Sequence, residues 1–200
     1  MARHRSPVGI FEAAILLVLA AGALWFAAPI PRARRAAADE KEIYAAIGAV
    51  ADALEARMAP PRSQPPVRVE RLLREDPAAA RALAGHEASG RAGVVGVRHY
   101  WVSVLLPGRD GVIAAPGEED PAEAARGFCV LAWPREGASP LLRELAALPE
   151  GFMWRRADGV AKASGEPRPP VPNAAFPPPG SGPGRVPDPP PDWTQHKKRR

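Results

Sequence analysis

Residues 8–58 read VGIFEAAILLVLAAGALWFAAPIPRARRAAADEKEIYAAIGAVADALEARM, and this stretch decides the architecture. Its first half carries no charge from residue 13 to residue 31. The helix can extend back to Val8, and Val8 to Ala28 rises about 31 Å at 1.5 Å per residue, which matches a hydrocarbon core of about 30 Å. Leu16, Leu17, Leu19, Leu24, Trp25 and Phe26 supply the apolar character. Residues 8–31 are therefore expected to form a single transmembrane anchor. A cleaved signal peptide is the competing reading, with small residues at Ala21-Gly22-Ala23. Its apolar region usually spans about 7–15 residues, so the length here favours an uncleaved anchor. Arg3 and Arg5 on one side and Arg32, Arg34 and Arg35 on the other nearly balance, so charge does not set the orientation.

Glu12 stands inside the apolar run. A carboxylate there is costly unless it is neutralised or paired. It either rests in the interface near the helix start, or it meets a positive group of another subunit, which makes Glu12 the assembly candidate. Pro29 and Pro31 are expected to kink the path beyond the anchor. Over residues 32–59, Ile43, Ile47, Val50, Leu54 and Met58 recur at three- and four-residue spacings and predict an amphipathic helix. Pro60 and Pro61 end it.

The run from Val8 to Pro31 resembles the N-terminal helix of type IV pilins and of the pseudopilins of type II secretion systems. In that family a short basic leader precedes an apolar helix, a glutamate occupies the fifth mature position, and a proline often follows seventeen residues later. Glu12 and Pro29 reproduce that separation (29 − 12 = 17), and residues 1–7 form a similar basic leader with Arg3 and Arg5. By this alignment Pro7 stands where the family's leader peptidase takes glycine, and Gly9 lies two residues late. The C-terminal half is loosely similar to pilin-like proteins of planctomycete-type bacteria, through YWVSVLLPG, EEDPAEAARGF, CVLAWP and FMWRRADG in that order. The resemblance implies a non-catalytic envelope subunit anchored in the bacterial inner membrane, with its C-terminal domain in the periplasm. It also implies partners, namely other pilin-like subunits packed through the N-terminal helix.

Residues 60–164 are expected to form a small α+β domain. A solvated helix is read over Val69–Leu83, interrupted near Pro77, with Asp76 as N-cap and proline at the first helical position. GHEASGRAG reads as a loop. Val94, Val95 and Val97–Leu106 read as one strand, with Val97, His99, Trp101, Ser103 and Leu105 on one face. Gly108–Gly111 is a turn, Glu118–Arg126 a short helix begun by Asp120 and Pro121, and Leu141–Leu148 another. Further strands are read at Phe128–Trp133 and Phe152–Arg156, then a turn at Asp158-Gly159 and a fourth strand at Val160–Ala163. The antiparallel sheet is expected to pack one face on the amphipathic helix and leave the other wetter.

From Gly165 onward there are twelve prolines in 36 residues. This tail is expected to be disordered, with local polyproline II character. The fold class is thus α+β: a long membrane-anchoring helix, a small antiparallel sheet and a disordered Pro-rich tail.

Composition narrows the chemistry. The net charge of +5 lies in the flanks: the N-terminal arginines and Lys197–Arg200 leave the middle slightly acidic. No specific nucleic-acid surface is read in the domain, while the basic tail suits an anionic surface. The single cysteine, Cys129, excludes an intramolecular disulfide and reads as a small buried residue. His4, His86, His99 and His196 lack metal-ligand spacing, and His99 reads as a partly buried structural histidine. A Cys129/His99 nucleophilic pair needs an activating neighbourhood that is not apparent. Glu118, Glu119 and Asp120 lack the spaced pattern of a calcium loop. Gly85, Gly90, Gly93 and Gly96 have no phosphate-loop context. Trp101, Trp133 and Trp154 read as core bulk. No catalytic residue, cofactor or metal is expected. The alternatives to an assembling subunit are a solitary single-pass protein with an extracytoplasmic ligand- or protein-binding domain and, less well supported, a tethered enzyme.

Overall fold

The computed structural model describes residues 8–27, 29–157, 165–176 and 187–195. The leader, the turn at Asp158-Gly159 and the strand expected at Val160–Ala163 lie outside them. The chain divides into two units, residues 1–38 and 39–200.

The first unit holds helix α1, Val8–Ala27, and the start of helix α2, Pro29–Met58. Side chains in α1 are described for Gly9 and Glu12–Ala20, and all are exposed. Among the described residues no helix is long and apolar enough to cross a membrane. Pro29 and Pro31 occupy the first and third positions of α2, where helix N–H groups have no intrahelical partner and proline is well tolerated. They therefore open a helix.

In the second unit α2 behaves as its spacing predicts. Ile43, Ile47, Val50 and Leu54 are buried, while Lys41, Glu42 and Asp52 are exposed. Helices α3 (Val69–Glu75) and α4 (Pro77–Ala82) follow. The Asp76 carboxylate accepts from the N–H groups of Ala78 and Ala79 at 2.8 and 2.9 Å, and Pro77 starts the helix. Val69, Leu72, Ala79 and Leu83 are buried, so the pair is solvated on one side only, and α3 packs against β2 and β3.

The sheet has seven antiparallel strands in simple sequential order among the described residues. They are β1 (Glu87–Ala88), β2 (Val94–Val97), β3 (Tyr100–Leu105), β4 (Cys129–Pro134), β5 (Leu145–Ala147), β6 (Met153–Arg156) and β7 (Trp193–Gln195). Every pairing joins neighbours in sequence, so the sheet is a meander that needs no crossover.

Four expectations are corrected. The strand read through Val97–Leu106 is a hairpin: Val97 pairs with Tyr100 across a turn of Arg98 and His99, with Arg98 at φ 51°. Nothing in the side-chain types announces that turn, because arginine is not a residue that favours positive φ. The GHEASGRAG loop contains β1, held by Glu87↔Gly96 and Ala88↔Val95. The helix expected over Leu141–Leu148 is instead β5, paired with both β4 and β6. A central strand buried on both faces reads as a continuous apolar run, which spacing cannot separate from a buried helix. The helix expected over Glu118–Arg126 shrinks to a 3₁₀ turn at Ala124–Arg126, although Asp120 still caps, accepting from Ala122 N–H at 2.9 Å.

The largest correction concerns the second face of the sheet and the tail. Register places Val95, Val102, Val104, Val130, Ala132, Leu145, Ala147 and Met153 on one face. Ion pairs from Glu42 to Arg98 and from Glu40 to Arg155 (3.6 Å) tie α2 to that face. The opposite face carries Val94, Leu105, Cys129, Leu131, Trp133, Ala146 and Trp154. It is not wet, because the proline-rich segment covers it. Phe176 and Trp193 are buried in this cluster, with Val171 and Ala174 packed against it. Phe176 sits so close over Gly127 that a Cβ there would lie 2.7 Å from its ring. Trp101 and Trp133, paired across β3 and β4, donate their indole N–H groups to the carbonyls of Gly165 and Glu166 at 2.7 and 2.8 Å. Gly165 takes φ 81°, and its carbonyl also accepts from Glu136 N–H at 3.0 Å. Prolines confine backbone freedom before folding, so a few aromatic anchors suffice to order such a segment.

Candidate functional site

The outstanding surface is on α1. Ile15, Leu16, Leu17, Val18 and Leu19 are 52–72% exposed. Five consecutive residues at 100° intervals go fully round the helix, so this is an apolar circumference rather than an apolar stripe. At about 2 kcal/mol for each large side chain, removing it from water is worth on the order of 10 kcal/mol. Glu12, one turn earlier, is exposed as well.

Inside the second unit the charged groups serve structure. Arg68 grips Glu119 bidentately at 2.9 and 2.8 Å, linking α3 to the acidic turn. Burial opposes the charge on Glu119, but the Arg68 guanidinium and the N–H of Gly117 outweigh it and hold the carboxyl below its ordinary range. One of the three carboxylates considered for a cation is therefore already neutralised, and Asp120 is engaged as a cap. No group of three or more metal-ligating side chains occurs among the described residues.

Glu144 is fully buried and paired with Arg156 at 2.9 Å; Arg156 also meets Asp192 at 2.9 Å and lies over the Trp193 ring at 5.7 Å. This arrangement fastens β7 to β6. Tyr44 and Tyr100 lie between α2 and the sheet. Burial pushes both hydroxyls well above their ordinary range, with the Glu40 charge adding to it, so both remain protonated.

His99 is exposed in the β2–β3 turn, which corrects its expected place in a strand. Cys129 is fully buried, and burial pushes its thiol up to about 12. The register puts Cys129 opposite Leu105, six residues from His99, or about 20 Å along the strand. The Cys129/His99 pair is not assembled. Trp133 and Trp154 are fully buried, as core bulk should be, while Trp101 is half-buried under the Arg135 guanidinium, 4.4 Å from its ring.

Sequence reasoning missed a groove of about 390 Å³ beside β1, lined by Arg74, His86 and Arg91. Its parts come from the end of α3 and from the loop around β1, and no single motif carries them. No protein-family model, curated protein sequence or solved structure matches the chain.

Proposed function

We propose that this chain is a non-catalytic, membrane-anchored envelope subunit of pilin or pseudopilin type. In this reading residues 8–31 lie in the bacterial inner membrane and the domain faces the periplasm. The observation that carries it is the apolar circumference at Ile15–Leu19 with a carboxylate at Glu12. Such a surface calls for a bilayer, and an ionisable residue beside it calls for a partner. The order of elements adds support: an apolar helix, a helix with one buried apolar face, then an antiparallel sheet. In the assembly Glu12 is neutralised by a positive group of a neighbouring helix.

The test uses Leu17→Cys, at a 72% exposed position on α1, as a crosslinking site. Cys129 is buried and does not compete. Oxidation in membranes is expected to trap L17C dimers or to link L17C to a partner pilin bearing its own cysteine. Adding Glu12→Ala is expected to reduce those products at least tenfold while leaving the protein in the membrane fraction. Undiminished crosslinking in the double variant would remove Glu12 from assembly. A monomer throughout would favour a solitary anchored protein whose domain binds a ligand or protein.

A further inference from the structure

We infer that the groove beside β1 is a binding site for a phosphate-type oxyanion. Arginines outnumber carboxylates along its lining two to one. Arg74 projects from the last turn of α3, and Arg91 from the loop between β1 and β2; both are exposed. Neither forms an ion pair among the described residues, and two of the three nearby carboxylates are engaged by other arginines. Glu75 is held by Arg57 and Arg71, each at 2.6 Å. Glu87 is held by Arg135 at 3.0 Å. Glu70, which lines the groove itself, accepts from Gly93 N–H. The groove thus presents two guanidinium groups against one carboxylate, Glu70, with His86 beside them.

The rim is also pre-set. Ser89 donates to the carbonyl of Val94 at 2.7 Å and accepts from Arg91 N–H at 3.0 Å, which fixes the backbone that carries Arg91. Leu73, Val94 and Val95 give the lining an apolar part. Planar guanidinium forks select oxyanions that accept two parallel hydrogen bonds, and phosphate offers those acceptors with more charge than a carboxylate. The phosphate can be free in solution or be a lipid headgroup.

The test uses the full chain in an uncharged detergent and compares inorganic phosphate with chloride at equal ionic strength. At about ten times the dissociation constant, phosphate is expected to raise the unfolding midpoint by roughly 3–6 °C. Calorimetric titration is expected to show at least a tenfold loss of affinity in both Arg74→Gln and Arg91→Gln. These variants should unfold normally in chloride, since neither side chain is buried or paired. Arg109→Gln, at an exposed position outside the groove, should bind like the parent. Short-chain phosphatidic acid, used below its micelle concentration, separates the sources. Tenfold tighter binding than inorganic phosphate identifies a headgroup, and equal affinity identifies free phosphate. No phosphate-specific rise, or an equal rise in the Arg74→Gln/Arg91→Gln double variant, would overturn the site.

Discussion

Trp133→Ala is expected to lower the stability of the sheet domain by about 3–5 kcal/mol, a third or more of what a domain of this size ordinarily has. The side chain is fully buried near the C-terminal end of β4, opposite Trp101 across the β3–β4 ladder. It belongs to the cluster that includes Trp154, Phe176 and Trp193. Removing it leaves a cavity in that buried cluster and also strips a donor from the Glu166 carbonyl. Trp133→Phe retains most of the volume and loses the hydrogen bond, so it is expected to cost only about 1–2 kcal/mol. Urea unfolding followed by circular dichroism measures both. A Trp133→Ala chain within 1 kcal/mol of the parent would show that this face of the sheet is not packed as described.

Deleting residues 165–200 is expected to have a still larger effect, abolishing the cooperative unfolding transition. The deletion removes Phe176 and Trp193 from the core, uncovers Trp133 and Trp154, and strips β7 from the edge of β6. It also takes Asp192 from Arg156, which leaves that guanidinium to the buried Glu144 alone. Each large aromatic lost costs about 3–5 kcal/mol by itself, so the sum exceeds the stability at stake. Binding of a hydrophobic dye at low temperature should rise in parallel, reporting the exposed face. A truncated chain that unfolds at the parent's midpoint would mean that the segment is an appendage, as proline content alone suggests.

These two effects mark where composition misleads. Proline counting treats residues 165–200 as one spacer, yet Phe176 and Trp193 are aromatic anchors set among the prolines. Tethering lets a short anchored segment bind the sheet that its own chain supplies, at little further entropic cost. Elements with strong local signals were legible. The spacing of Ile43, Ile47, Val50 and Leu54 identified the buried face of α2, and Asp76-Pro77 fixed the α3–α4 boundary. Alternation over Tyr100–Leu105 also held. Elements whose conformation depends on distant partners were not. Leu145–Ala147 becomes a strand because β4 and β6 flank it, and Arg98 turns left-handed because β2 and β3 pair on either side. The candidate surfaces divide in the same way. The apolar run around Glu12 lies in one contiguous stretch, whereas Arg74, His86 and Arg91 meet only through tertiary packing.

The proposed arrangement has α1 anchoring the chain in the membrane and the domain on the periplasmic side. The most direct test is protease added to intact spheroplasts, with lysed cells as control and antibodies to the domain and to an N-terminal tag. The domain is expected to be digested from outside while a tagged fragment containing α1 remains in the membrane pellet. Full protection of the domain until lysis would place it in the cytoplasm and overturn the proposed orientation.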